Sequence, residues 1–439
     1  MSAKMAVSAT ADYVARLRRA PRAIRLFLGY TLLANIGLGV FQLIYNLYLV
    51  RIGFREDFIG TFSAVNTIAM AATALLIGPL IARLGAWLCL LAGTALLVIA
   101  ALGQALIAAE PALLACAALG GVAQAGMVVP VMPFIIEHAA DDERADTAAV
   151  TFSLISLSMT AGALVGGRLP SALARLGAAF APETVVSYRA TLVAGVALAA
   201  VGLLPLLLIG RGRPAGQART GPLVGNAHRP RRVRRDMAAF IAVGALFSVS
   251  AAAIVPFYNV YLQDLGAGPG VIGNVFTVAG VCGAALGLVS PALARRHGVL
   301  RVAAGMRVAG VPLLALLLVA PSLPLAFAAQ IVRSATLSMA WPVDSNFIAE
   351  ILPNRQRATV FSLRSAAWNI TWAGASFIVG RLIVATGGYG VAFATSCAFA
   401  VLAVAVFSLA FLRHPHVVAQ REAAGGQRRR AAAKLVVDR

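Results

Sequence analysis

The chain has 439 residues, 60% hydrophobic and only 12% charged, with a mean hydropathy of +0.86. That is more apolar sequence than a water-soluble core needs, and it falls in repeated runs of about 20 residues, the length of a helix that crosses a bilayer. A net charge of +21 would suit a nucleic-acid binder, but the arginines crowd into the polar breaks on one side of the runs, which excludes that reading.

The runs are too long, and alternate too little, for a β-barrel, so the expected fold is an all-α membrane protein. Residues 1–25 form a basic cytoplasmic segment carrying Arg16, Arg18, Arg19, Arg22 and Arg25. It is either an amphipathic helix on the inner leaflet or a disordered stretch. The apolar run behind it lacks a small-residue cleavage site and reads as a first span, not a removable signal peptide. A first six-helix bundle, 26–209, is expected from spans at 26–50, 58–81, 86–108, 112–136, 148–170 and 190–209. A basic cytoplasmic linker follows at 210–236, holding Arg211, Arg213, Arg219, Arg229, Arg231, Arg232, Arg234 and Arg235. A second bundle, 237–412, has spans at 237–262, 269–293, 299–320, 323–349, 358–384 and 388–412. The basic tail, 413–439, is low in apolar content and reads as disordered.

These basic segments, with Arg295, Arg296 and Arg301, fall on one side of a twelve-span topology. The other side has chiefly Arg51, Arg55, Arg175 and Arg189. Both termini are therefore expected in the cytoplasm of a multi-pass membrane protein, the arginines anchoring topology against anionic lipid heads. Cys89, Cys116, Cys282 and Cys397 lie far apart inside spans and read as small buried hydrophobes, with no disulfide, metal site or cofactor implied.

The chain repeats itself at an offset of 213 residues. Tyr45-Asn46-Leu47-Tyr48-Leu49 returns as Tyr258-Asn259-Val260-Tyr261-Leu262, using four of the eight tyrosines. Without a gap the same offset pairs Gly53 with Gly266, Gly60 with Gly273, Arg83 and Gly85 with Arg296 and Gly298, Glu137 with Glu350, and Arg144 with Arg357. A parallel duplication of membrane helices points to a transporter of two pseudo-symmetric six-helix bundles.

Twelve spans as six plus six, a long central loop and this repeat resemble the major facilitator superfamily over nearly the whole chain. Between spans two and three, Gly78-Pro79-Leu80-Ile81-Ala82-Arg83-Leu84-Gly85 is similar to the family's Gly-x-Leu-Ala-Asp-Arg-x-Gly-Arg-Lys. Ala82 stands at the acidic position, and Ala86 and Trp87 at the basic pair. Gly162-Ala163-Leu164-Val165-Gly166-Gly167 is similar to the tail of an antiporter-associated motif, although small residues at that spacing also serve close helix packing. The family's span-four arginine is replaced by Gly120, and Arg333 holds the equivalent place in span ten. The resemblance implies that spans one, four, seven and ten line a central cavity, that Arg83, Arg296, Glu137, Glu350, Arg144 and Arg357 serve gating or structure beside the glycines, and that span nine is peripheral.

Ionisable side chains inside a span are costly and mark candidate sites. Four stand out: Arg307, Arg333, Asp344 and Arg364, whose offset partners Thr94, Gly120, Val131 and Thr151 are uncharged. Asp344 and Arg364 lie at similar depth, about 7–9 Å from the inner ends of their helices, and can pair across them. Asp344 is thus either a proton-coupling group or half of a structural ion pair. Arg333 is about three turns away from it, roughly 16 Å, and can hold a carboxylate or phosphate of a solute by two parallel hydrogen bonds. Arg307 is expected to snorkel or to pair structurally. Asn35, Gln42, Asn66, Tyr258, Asn259, Trp341, Asn346, Trp368, Asn369 and Trp372 complete the candidate solute contacts, and for each of them helix packing is the plain alternative. The repeated tyrosines are expected in an interfacial belt and the paired asparagines at an outer gate. Pro130, Pro133 and Pro342 are expected to break spans four and ten.

The resulting expectation is a non-enzymatic, monomeric secondary transporter for a small organic solute, driven by alternating access and in one version by protons. No phosphate-binding Gly-x-x-x-x-Gly-Lys loop is present to use ATP directly. The alternative is a sensor or scaffold that kept a transporter fold. Import and export stay open, and the scarcity of lysine beside arginine fits a GC-rich bacterial genome.

Overall fold

The computed structural model describes residues 21–140, 142–177, 183–210, 230–412 and 414–415. Expectations for the basic segment before residue 21, for residues 211–229 of the linker and for the tail from 416 lie outside the described residues.

Twelve helices among the described residues are long and apolar enough to span a membrane. In chain order the helical segments are α1 (Arg22–Arg51), α2 (Glu56–Leu84), α3 (Ala86–Leu106), α4 (Glu110–Val128), α5 (Val131–His138), α6 (Arg144–Leu173), α7 (Val185–Val201) and α8 (Leu203–Ile209). They continue as α9 (Pro230–Ala252), α10 (Tyr258–Asp264), α11 (Pro269–His297), α12 (Val299–Val308), α13 (Val311–Val319), α14 (Leu323–Ile351), α15 (Asn354–Thr386) and α16 (Gly390–Phe411). Spans four, six and nine are each two segments in line: α4 with α5, α7 with α8, and α12 with α13.

The helices exist because the bilayer offers backbone groups no other partner. Their outward faces confirm the solvent they are made for. Leu75 and Leu76 are 76% and 72% exposed, and their repeat partners Leu288 and Val289 are 78% and 53% exposed. Exposed apolar residues on that scale are stable against lipid and not against water.

Chain contacts divide the molecule into two compact units, Met1–Thr220 with Gly266–Thr277, and Gly221–Leu265 with Val278–Arg439. In the first unit α1 packs against α6 and α7, and α4 lies between α2 and α3. Gly162 and Gly166 of α6 lie directly on the backbone of α1 at Ile36 and Val40, so the Gly-Ala-Leu-Val-Gly-Gly stretch is a helix-packing surface here. The core of this unit holds Phe27 stacked on Phe134 with ring centres 4.5 Å apart. In the second unit α9 packs against α15 and α16, and the repeat partners Phe240 and Phe347 meet edge to face at 5.6 Å.

The repeat extends to backbone detail. Gly53 and Gly266 have φ of 100° and 88°, and Gly85 and Gly298 have 85° and 86°. Side-chain-bearing residues rarely take that conformation, so the same chain reversal demands glycine in both copies. Arg144 donates to the carbonyl of Ile136 at 2.9 Å, and Arg357 donates to the carbonyl of the equivalent Ala349.

Three expectations are corrected. Span seven is not one helix over 237–262: α9 stops at Ala252 and a turn precedes α10, because Pro256 has no N–H and disfavours helix in the residue before it. Pro342 lies inside an uninterrupted α14, whereas the break in span four falls at Val129–Pro130. The repeated tyrosines are not an interfacial belt. Tyr45, Tyr48, Tyr258 and Tyr261 are all at most 5% exposed, packed among the helices of their own units.

Candidate functional site

Two polar clusters lie within the units, one in each. The cluster in the second unit is ionic. Asp344 of α14 accepts from Arg307 Nη2 at 2.6 Å on both carboxylate oxygens, and also from Arg364 Nη2 of α15. All three residues are buried. Arg307 also donates to its own helix at Ala303, 2.8 Å away, and its guanidinium lies 5.5 Å and 5.0 Å from the rings of Phe247 and Phe407. It sits in the last turn of α12, where the helix dipole favours a cation. The aliphatic part of Arg364 fills the space beside Gly244, where an added Cβ would lie 2.9 Å from its Cγ. Two buried guanidiniums share the one Asp344 carboxylate.

Of its two expected roles, Arg307 takes the structural ion pair and does not snorkel, and its partner is Asp344. Depth along each helix was readable, but the direction in which each side chain points was not.

Further along α14, Arg333 is half-buried. Its guanidinium lies 5.4 Å from the ring centre of Tyr258 and gives two hydrogen bonds to Gln330 Oε1, at 2.6 and 3.2 Å. No carboxylate pairs with it among the described residues. Tyr258 in turn donates to the Ala326 carbonyl at 2.7 Å. Trp368 and Trp372 stack at 6.2 Å on α15, and Asn369 donates to its own helix at Ser365. Asn346 is exposed, Asn259 is buried and accepts from the Val260 amide, and the Trp341 side chain is outside the described part.

The cluster in the first unit is neutral. A cavity of about 190 Å³ lies between α1, α2, α3, α4 and α7. Gln42 and Asn66, both expected at the site, line it, as do Asn46, Gln104 and Gln124 and the rings of Phe41, Tyr45 and Phe62. Asn66 Nδ2 donates to the Ala117 carbonyl and Gln104 Nε2 to the Cys116 carbonyl, each at 3.1 Å. Asn35 is not at this cavity; its amide bonds the Thr31 carbonyl one turn back. Sequence reasoning passed over Gln104 and Gln124, although an amide inside an apolar span is the same kind of signal as a buried charge.

Of the remaining named residues, the Glu137 carboxylate takes the backbone N–H of Ala86 at the start of α3, a favourable place for an anion. Gly78, Arg83, Arg296 and Glu350 lie at exposed positions near helix ends.

The profile of the Major Facilitator Superfamily matches residues 238–437. The same architecture appears in solved structures over almost the whole chain. The nucleoside transporter NupG superposes with a TM-score of 0.69 at 14% identity, covering 89% of this chain and 98% of that one. This chain has the major facilitator superfamily fold. A bacterial homolog of the human lysosomal transporter Spinster, inward-facing and unoccupied, gives 0.69 at 17% identity, with 91% and 98% covered. A POT family transporter in complex with a thioalcohol-conjugated peptide gives 0.67 at 14%, with 90% and 97% covered. At such identities the superfamily likeness is one of fold. No curated protein matches the sequence.

Proposed function

We propose that this protein is a secondary transporter that carries a small organic solute across a cell membrane by alternating access, with both termini in the cytoplasm. The observation that carries the reading is the cavity of the first unit. Amides and aromatic rings around some 190 Å³ are the lining expected of a site for a small molecule of mixed polarity. The structures with this fold named above are of transporters by their own descriptions, which supports the same mode of action here.

Two finer roles belong to the second unit. Arg333 is assigned an anionic group of the solute, because its guanidinium is held only by neutral partners among the described residues. Asp344 is assigned to the ionic cluster first. Neutralising it would remove the carboxylate that both buried guanidiniums share, which supports a lock in preference to a free proton carrier. A proton-coupled cycle remains the second reading, favoured by Asp344 being a deeply buried carboxylate in a span.

Purified protein in liposomes tests the proposal. Saturable flux of a solute is expected; a protein that binds solutes and moves none is a sensor or scaffold. If Asp344→Asn keeps the wild-type rate and its response to a proton gradient, coupling at Asp344 is wrong. If Arg333→Gln leaves the affinity for anionic ligands unchanged, the anionic contact is wrong.

A further inference from the structure

The internal repeat allows one site to be read against the other. At the offset of 213 residues Gly120 takes the place of Arg333, and Tyr45 that of Tyr258. In the second unit the guanidinium lies over the Tyr258 ring, and the tyrosine hydroxyl is bonded to a backbone carbonyl. In the first unit no side chain stands at Gly120, and the cavity opens beside it. Two amides converge on the vacant position. A Cβ on Gly120 would lie 3.2 Å from Gln104 Nε2 and 3.3 Å from Asn66 Nδ2. Both nitrogens are committed to backbone carbonyls. A carbonyl can only accept, so the amide orientations are fixed and each oxygen remains as an acceptor. Tyr45, also on the cavity, is 4% exposed, and its hydroxyl has no hydrogen-bond partner among the described residues. A buried hydroxyl left unbonded is costly, and beside a cavity it marks where a ligand atom belongs.

We propose that this cavity binds an uncharged planar group presenting a carbonyl next to an NH2, such as a primary carboxamide or a urea. The ligand carbonyl accepts from Tyr45 O–H, and its N–H groups donate to the amide oxygens of Asn66 and Gln104. Among the described residues no charged side chain lines the cavity, so an ion there would be desolvated without compensation. An engineered cavity of about 150 Å³ holds benzene. The 190 Å³ here therefore suits a single ring with one small substituent. The inference deepens the transport reading by naming a solute class, but its test needs only binding.

Benzamide, benzoate and toluene share a shape and differ in the chemistry that matters. In detergent-purified protein, benzamide is expected to raise the melting temperature saturably, and benzoate and toluene are not. Tyr45→Phe should leave the ligand-free melting temperature unchanged or raised, since the deleted hydroxyl bonds nothing, while benzamide affinity falls about tenfold, the worth of one hydrogen bond. A tyrosine that served structure alone would lower the ligand-free melting temperature and spare benzamide. Gly120→Leu, which fills the cavity, should abolish benzamide binding. The proposal is overturned if benzoate binds as tightly as benzamide, if Tyr45→Phe leaves benzamide affinity unchanged, or if benzamide shows no saturable binding up to roughly 20 mM. Benzamide bound without flux of any solute would remove the transport reading and keep the pocket. Solute flux with no effect of Tyr45→Phe on benzamide would do the opposite.

Discussion

Asp344 shows how a duplicated fold can change its chemistry one residue at a time. In the second unit it joins Arg307 and Arg364; in the first, the equivalent positions are Val131, Thr94 and Thr151, all buried and uncharged. There Thr94 meets the hydroxyl of Tyr30 at 2.8 Å instead. The same helices pack with neutral residues, so the fold does not need the ions, which suits a role in specificity or switching. The charge count predicts an order of stabilities. Asp344→Asn removes the carboxylate that both guanidiniums share and should cost about 3–5 kcal/mol. Arg307→Met leaves a one-to-one pair of Asp344 and Arg364, so it should cost clearly less. Melting temperatures of the purified variants check this, and Arg307→Met falling below Asp344→Asn would show that the cluster is not governed by its net charge. The sequence disclosed three members of this cluster as candidates because ions are rare in spans, and it allowed Asp344 to meet Arg364. For Arg307 it left snorkelling and structural pairing open, since the choice depends on the azimuth of two helices that no one-dimensional pattern records.

Among the elements, the helices were legible because the bilayer fixes their length, and the breaks within them only in part: Pro130 breaks span four as expected, and Pro342 does not break span ten. Pro256 stops α9, while Pro342 is absorbed inside α14. A proline removes one donor in either case; whether neighbouring segments satisfy the freed carbonyl is a matter of tertiary packing. The glycine reversals are the opposite case, visible in the sequence as an exact repeat and realised with the same φ. Gly85 caps α2 at φ 85° and ψ 157°, and Gly298 leads into α12 at φ 86° and ψ 137°. Nothing lies within 4 Å of a Cβ added at either position. An alanine there meets no clash, only backbone strain of about 1–3 kcal/mol. Gly85→Ala and Gly298→Ala should therefore destabilise by similar amounts, seen as similar drops in melting temperature. Gly121→Ala should cost more, because its Cβ would run into the backbone of Asn66 in α2. A Gly121→Ala protein more stable than Gly85→Ala would show that helix approach in the first unit is looser than this geometry.

For the molecule as a whole, the orientation proposed here rests on charge and not on helix packing. Both units repeat in the same direction along the sequence, and an even number of spans returns the chain to the side where it began. Arg22 and Arg25 precede the core of the first span, while Arg231, Arg232, Arg234 and Arg235 precede that of the seventh, so the two units carry the same signal at the same place. Basic residues are retained on the cytoplasmic side, and each copy reinforces the other. A reporter that fluoresces only in the cytoplasm should be active on either terminus, and one active only outside should be silent on both. Replacing the arginines of 16–25 with neutral residues should leave this orientation intact, because the second unit carries its own basic segment. An outward-facing amino terminus in that variant, with the carboxyl terminus following it, would show that the first span alone sets the topology. Termini found on opposite faces in the native protein would contradict the even span count itself, and with it the alternating access proposed for this chain.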